Sequence, residues 1–259
     1  MIKLIHITDS HLGVNPGDPL LEMNPDESLM DVVALIGREQ SQIDLVLVTG
    51  DIANDASPSA YQRFHSTVSD NLIASMAWLP GNHDDDQVMG GITSPSKHQL
   101  IHYDRWLIIM LDSHVPGEIH GNFSQSELDY LSTVLNNNSE KYVLIAFHHQ
   151  PVPVGSHWMD RYIIRNTTVF WELINAHEKV RCVIWGHIHQ EYDKQENNVR
   201  LLSTPSTCIQ FSLNQVSFKI SAEMPGYRWL ELHDDGKIKT AVSRVPEKNY
   251  GIDFSSTGY

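Results

Sequence analysis

Five apolar, β-rich runs in this chain each stop at residues able to hold a metal ion. Ile2–Thr8 is followed by Asp9 and His11, and Leu45–Thr49 by Gly50 and Asp51. Met76–Leu79 gives way to Asn82, His83 and Asp84, Tyr142–Phe147 to His148 and His149, and Val180–Trp185 to Gly186, His187 and His189. In open α/β sheets, ligand sites form outside the carboxyl ends of the strands. A fold that aligns these runs in parallel would gather carboxylates, imidazoles and an amide along one edge. Turn statistics account for any one of these ends, since Pro80-Gly81-Asn82 alone is an ordinary turn signal. They do not account for the ordered set D-x-H, GD, GNHD, HH and GHxH.

The spacings have a physical reading. Residues i and i+2 of an extended segment point to one side, so Asp9 with His11, and His187 with His189, can each converge on one locus. Carboxylate oxygens beside imidazole nitrogens suit Zn, Mn or Fe better than Ca or Mg alone. Gly50 and Gly186 permit close backbone approach where a ligand must be aimed. Asn82 offers a neutral amide oxygen, which binds a cation without adding charge and leaves its NH2 to fix the orientation.

Helix starts are marked between the strands. Asn24-Pro25-Asp26-Glu27 sets a cap, a first-turn proline and acidic residues ahead of Leu29, Val32, Val33 and Ile36. Ser57-Pro58 opens a second helix, and Ser124-Gln125-Ser126-Glu127 matches a capping box before Leu128, Leu131 and Leu135. A further helix follows Asn166, with Val169, Phe170, Leu173 and Ile174 on one face. Trp106–Leu111 is another strand. In the last third, Val199–Ser203, Val216–Ile220, Tyr227–His233 and Lys237–Arg244 read as strands, the final two joined by a hairpin turn at Asp234-Asp235-Gly236. No linker or composition shift divides the chain. Residues 1–259 therefore read as one layered α/β domain with an antiparallel second sheet and a polar, loosely held tail over residues 245–259.

Charge narrows the partners. A formal charge of -14 over 259 residues argues against nucleic acid, because binding to a phosphate backbone needs a basic face. No apolar run approaches the ~20 residues that cross a bilayer, and the start lacks the basic and long apolar regions of a signal peptide. No membrane association and a cytoplasmic location are the expectation. Cys182 and Cys208 suit a reducing compartment and read as buried small side chains, not ligands.

The ordered blocks resemble the calcineurin-like metallophosphoesterase superfamily, and more closely its class III cyclic nucleotide phosphodiesterases of the bacterial 3′,5′-cyclic AMP type. The likeness runs almost end to end. It includes Trp78-Leu79-Pro80-Gly81-Asn82-His83-Asp84, Met110-Leu111-Asp112-Ser113, His157-Trp158-Met159-Asp160 and the GHIHQE block. It continues through Ser203-Thr204-Pro205-Ser206-Thr207-Cys208-Ile209-Gln210-Phe211 and Pro225-Gly226-Tyr227-Arg228. The resemblance implies a four-layer α/β/β/α sandwich and two transition-metal ions, Fe and/or Mn, with Zn or Co as alternatives. One metal would be held by Asp9, His11, Asp51 and His189. The other would be held by Asp51, Asn82, His148 and His187, with Asp51 bridging. His148 directly follows its strand and matches the family position, leaving His149 to hydrogen-bond nearby.

The activity so implied is hydrolysis of 3′,5′-cyclic AMP to 5′-AMP at a dinuclear centre, with a bridging hydroxide as nucleophile. Asp51 and His83 would be catalytic, and His11, Asn82, His83 and His189 would meet the substrate. His83 would donate a hydrogen bond to phosphate and protonate the leaving oxygen, while Asp84 orients an imidazole or supports its loop. The partner is then a small cyclic nucleotide or related phosphodiester, bound by a monomer or homodimer. Other small phosphodiesters, such as 2′,3′-cyclic nucleotides and glycerophosphodiesters, are alternative substrates, and a non-catalytic scaffold is the alternative from another class. His157, Trp158 and Asn166 lie in a loop able to overhang the site, although Trp158 reads equally as core packing. Phe211 reads as a base-pocket wall or as core, and Asp112, Ser113 and His120 as outer supports. Gln150 stands where family members often have a proline. The DRG that follows GD in protein phosphatases is absent, since Ile52-Ala53-Asn54 stands there, which counts against a phosphoserine phosphatase.

Overall fold

The computed structural model describes residues 1–93 and 100–258. In chain order its elements are β1 (Ile2–Ile7), α1 (Pro25–Glu39), β2 (Leu45–Thr49), α2 (Pro58–Asn71), β3 (Ser75–Leu79), α3 (Asp86–Gly90), β4 (Leu100–His102) and β5 (Trp106–Met110). There follow α4 (Gln125–Asn137), β6 (Tyr142–Ala146), a 3-10 turn (Met159–Tyr162), α5 (Thr167–Asn175), β7 (Val180–Trp185), β8 (Tyr192–Glu196) and β9 (Val199–Ser203). Two short strands, β10 (Gln210–Phe211) and β11 (Ile220–Ser221), precede β12 (Gly226–Leu232) and β13 (Ile238–Arg244).

The near-continuous apolar strands are those of sheets covered on both faces. One sheet runs β13-β12-β1-β2-β3 and the other β4-β5-β6-β7-β9-β8. Their inner faces meet, with Leu4, Leu47 and Leu79 packed among Ile108, Ala146 and Ile184. The outer face of the first sheet, Ile5, Ile7, Val46 and Val48, is covered by Val32, Val33 and Ile36 of α1 and Phe64 of α2. The outer face of the second is covered by Leu131 and Leu135 of α4 and Phe170 and Ile174 of α5. These are four layers, α/β/β/α, as the resemblance implied. Because β1, β2 and β3 are mutually parallel, as are β5, β6 and β7, all five ligand-bearing ends emerge from carboxyl ends of parallel strands.

Four expectations need correction. The late strands do not form an antiparallel second sheet: β12 and β13 extend the first sheet from the free edge of β1, and β9 and β8 extend the second. Val216–Ile220 is not a strand, because the chain turns at Asn214 (φ 55°) and only Ile220 enters the two-residue β11. The capping box of α4 is half made: Ser124 accepts from the Glu127 N–H, but a Glu127 carboxylate oxygen accepts from the Asp112 N–H. The tail is tethered, since Lys248 pairs with Glu27 and Asp31 of α1, and the Tyr250 hydroxyl donates to Asp31.

Near the ligand-bearing edge a polar bolt joins the two sheets. The imidazole of His6 on β1 hydrogen-bonds Thr49 at the end of β2 and Thr204 just after β9. Its strand neighbour Arg228 is buried and donates to the carbonyls of Ser203 and Tyr192 in the other sheet. Burial first, and the Arg228 charge second, hold His6 from 6.5 down to about 3. It is therefore neutral in the fold, whereas the unfolded chain takes up a proton below 6.5. The stability it confers is intact above that pH and is lost as pH falls toward about 3. Between pH 7 and pH 5 this group alone costs about 2 kcal/mol. Urea unfolding of the protein and of His6→Asn at both values checks it: the variant should show the shallower pH dependence by about that amount.

Candidate metal centre

The backbone at the strand ends is unusual before any side chain is considered. Asp9 (φ 56°), His11 (φ 48°), Asp51 (φ 48°), His187 (φ 63°) and His189 (φ 48°) all lie in the left-handed region. Each such residue costs about 1–3 kcal/mol and persists only where the surroundings over-determine it. Here the surroundings are cross-loop bonds: Asp9 N–H to Gly50 O (3.0 Å), His11 N–H to Asp51 O (2.9 Å) and Gly186 N–H to His148 O (3.1 Å). The i, i+2 pairs thus converge through left-handed turns and not, as their spacing suggested, through extended backbone. Two glycines allow this packing. A Cβ on Gly186 would lie 2.0 Å from Thr8 Oγ1 and 2.8 Å from Asp9 Oδ2. At Gly50 (φ +88°) it would meet Gly81 N at 2.4 Å.

The side chains form two groups that share Asp51. In one, His11 Nε2 and His189 Nε2 are 3.1 Å apart, His189 Nε2 is 3.4 Å from Asp9 Oδ1, and His11 Nε2 is 3.8 Å from Asp51 Oδ2. In the other, His148 Nε2 lies 3.3 Å from Asp51 Oδ2 and 3.1 Å from Asn82 Oδ1. His187 completes that side: its ring centroid is 5.0 Å from that of His148, and its buried Nε2 has no hydrogen-bond partner among the described residues. Two of the outward nitrogens are occupied. His148 Nδ1 bonds the Thr49 carbonyl at 2.6 Å and His189 Nδ1 the Ile209 carbonyl at 2.8 Å, which turns each Nε2 inward. Asp9 is oriented by the His187 N–H, 3.0 Å from both of its carboxylate oxygens.

These residues fit metal ions. The donor atoms of Asp9, His11 and His189 lie within 4.8 Å of one another, as do those of Asp9, Asp51 and His148. Two imidazole lone pairs brought together in a buried site repel unless a proton or a cation lies between them. Burial is the largest influence on both His11 and His187 and holds each well below its ordinary value, so each is a neutral imidazole able to donate a lone pair. Burial is the largest influence on His148 and depresses it, but the Asp51 carboxylate, the Asp9 charge and the Thr49 carbonyl together lift it to about 9. Burial would raise Asp51, and the charges of His148 and His83 instead hold it well below the usual carboxylate range.

The remaining candidates divide. His83 donates its backbone N–H to Asp51 Oδ1 (2.9 Å), its Nδ1 bonds the Asn54 carbonyl (3.1 Å), and it lines a cavity of about 220 Å³ together with Asp51, Asn82 and His187. Asp84 is a loop support. Its carboxylate accepts from the N–H groups of Gly81, Ile52 and Ala53 and from the Tyr61 hydroxyl. His149 Nδ1 bonds Ser113 at 2.9 Å, while its Nε2 lies with the donor atoms of His148 and His187. Of the adjacent pair, it is His148 whose Nε2 faces Asp51 and Asn82. Asp112 accepts from the His114 N–H, His120 pairs with Glu118, and Asn166 is spent on the backbone of Phe123. His157 is exposed, whereas Trp158 lines the cavity. Phe211 stacks on His189, with ring centroids 4.1 Å apart and planes at 8°. Reading the chain alone missed Ile119, Tyr162, Phe218, Thr257 and Gly258, all of which line the cavity. Isolated residues in irregular segments carry no pattern that would have marked them.

Residues 2–191 match the calcineurin-like phosphoesterase family. Over all of this chain and 95% of the relative, identity is 40% to the 3′,5′-cyclic adenosine monophosphate phosphodiesterase CpdA of Pseudomonas aeruginosa. It is 38% to the protein of the same name from Escherichia coli (strain K12), at the same coverage. Among solved structures, a dimetal phosphatase from Danio rerio superposes with a TM-score of 0.59 at 15% identity, over 95% of this chain and 99% of that one. Purple acid phosphatase PPD1 from yellow lupin does so with a TM-score of 0.63 at 10% identity, over 93% and 53%. These two likenesses speak to the fold. The family match and the full-length relatives show that this chain belongs to the calcineurin-like phosphoesterase family.

Proposed function

We propose that this protein hydrolyses 3′,5′-cyclic AMP to 5′-AMP at a dinuclear metal centre, with hydroxide as the nucleophile. The observation that carries the reading is Asp51, whose Oδ2 faces both His11 and His148 and so links two donor groups. Identity along the whole chain to proteins named for that reaction supports the substrate. Asp9, His11, Asp51 and His189 would hold one ion, and Asp51, Asn82, His148 and His187 would hold the other. Their carboxylate, imidazole and amide donors suit Fe or Mn, and also admit Zn or Co. When bound, such a pair supplies charge neutralisation for phosphate oxygens and acidifies water to near neutrality.

The chain's own residues do the rest. Two carboxylates, Asp9 and Asp51, leave two divalent cations incompletely neutralised, so an anionic phosphodiester is attracted despite the overall charge of -14. His83 is fixed through Nδ1 on the Asn54 carbonyl, which commits its other nitrogen to the cavity side. As a general acid it needs a second proton on that nitrogen, which it donates to the phosphate and passes to the 3′ oxygen as the P–O bond breaks. Water supplies the new phosphate oxygen and gives up the proton that recharges the imidazole. His11 and His189 border the phosphate position, and the Asn82 NH2 remains available to a phosphate oxygen.

Asp51→Ala and Asn82→Ala should lose turnover and bind fewer ions per chain, measured by elemental analysis of purified protein; full activity in either would defeat the shared-ligand reading. His83→Ala should keep its metal while turnover falls roughly 10²–10⁴-fold. Stoichiometric metal loss in that variant would move His83 into the ligand set. Metal-reconstituted protein assayed side by side on cyclic AMP, cyclic GMP, 2′,3′-cyclic AMP and glycerophosphodiesters should prefer a 3′,5′-cyclic purine nucleotide. A preference for glycerophosphodiesters would replace the proposed substrate.

A further inference from the structure

The cavity beside the donor groups has two unlike sides. Asp51, Asn82, His83 and His187 make a polar floor, and Ile119, Trp158, Tyr162, Phe211 and Phe218 supply the apolar and aromatic lining. The aromatic side is a built cluster. Trp158, Phe211 and Phe218 contact one another edge to face, with centroids 5.0 Å (Trp158–Phe211), 5.2 Å (Trp158–Phe218) and 5.4 Å (Phe211–Phe218) apart. Phe211 is 2% exposed and lies flat against His189, so it is a positioning residue that braces that imidazole. Trp158 and Phe218 are half-buried, which leaves part of each ring to the cavity.

The loop that carries Trp158 is held in place. Asp160 accepts from the N–H groups of Val154 and Gly155 at 2.7 and 3.1 Å. The buried Gln150 donates through Nε2 to the Met159 carbonyl at 2.9 Å, and its backbone carbonyl accepts from the Ile164 N–H at 3.1 Å. The glutamine side chain, standing where family members often have a proline, thus fastens the Met159 end of the turn that presents the indole.

A ligand fitting this cavity is anionic at one end and flat and aromatic at the other. Stacking on an aromatic side chain is available to any base, because every base has a π-face. Resting on the phosphodiesterase reading above, we infer that Trp158 and Phe218 form a nucleobase platform, which selects nucleoside phosphodiesters over those without an aromatic group. The platform also predicts a product complex, since 5′-AMP retains the base.

The test compares 5′-AMP with ribose 5-phosphate, which carries the same phosphate and lacks the base, by titration calorimetry on the metal-loaded full chain. The native protein should bind 5′-AMP roughly 10–100-fold more tightly than ribose 5-phosphate. Trp158→Ala and Phe218→Leu should each collapse that ratio through a loss on the 5′-AMP side, and Trp158→Phe should restore much of it. Circular dichroism and metal content verify that each variant is folded and loaded. Equal affinity for the two ligands in the native protein, or an unchanged ratio in both folded variants, would overturn the platform. The reaction is judged separately: hydrolysis of cyclic AMP with no base preference in binding sinks the platform alone, whereas base-selective binding without hydrolysis sinks the phosphodiesterase reading alone.

Discussion

The Asp51 carboxylate is the constraint on which the rest of the architecture depends. It reaches His11 from its own sheet and His148 from the facing one, so the site exists only if two separately hydrogen-bonded sheets keep a fixed alignment. Hydrophobic contact between their inner faces supplies the attraction, but it is non-directional and tolerates sliding. Directional bonds set the alignment. His6 spans to Thr204, and Arg228 to the Ser203 and Tyr192 carbonyls, close to the edge where the donor residues emerge. Burying an arginine is expensive without such partners, and its several hydrogen bonds across the gap make any other register costly.

A second carboxylate works for the first. Asp84 sits two residues beyond Asn82 and is as buried as a ligand, yet its oxygens face backbone N–H groups of both the Gly81 and the Ile52–Ala53 loops. It ties the loop bearing Asn82 and His83 to the loop bearing Asp51. Its pKa is raised, by burial first and the Asp51 charge second, while the backbone donors act in the opposite sense. The arrangement places two carboxylates in one apolar setting, where cations and N–H groups compensate different members of the pair. Half of the ten non-glycine residues with positive φ among those described are proposed ligands. Backbone strain and buried ionisable groups therefore coincide at the same few residues, as expected of a site stabilised by what it binds.

How much of this was legible in the chain follows from what each feature depends on. The donor blocks were readable because strand burial makes long apolar runs, and the residue just past such a run is necessarily at a sheet edge. Caps such as Asn24 and Ser57 were readable because they satisfy local N–H groups. The left-handed conformations of Asp9 and His187 were not, since both types are common in extended and helical backbone and the cause lies in cross-loop bonds to Gly50 and His148. Which sheet β12 and β13 would join was equally hidden, because pairing with β1 is decided by an edge that sequence periodicity does not describe. Glu127 fitted a capping box, but the Asp112 N–H offered a partner that only the fold brings near. The tail looked loose because Lys248 and Tyr250 are ordinary surface residues until Asp31 lies beside them.

The same division explains how a strongly acidic protein can favour an anionic ligand. Charges spread over the surface are screened beyond roughly 8 Å at physiological ionic strength, so the overall charge hardly reaches into a cavity. What counts there is the local balance, and the donor set contains only two carboxylates among seven proposed ligands. The other five, four imidazoles and an amide, add no negative charge and so would hold cations without cancelling them. A site built from more acidic residues would bind the ions more simply but would present little positive charge to a phosphate. On the proposed reading, an aromatic wall beside that floor would separate two tasks: charge would draw the phosphodiester in, and the uncharged face would distinguish what the phosphate is attached to.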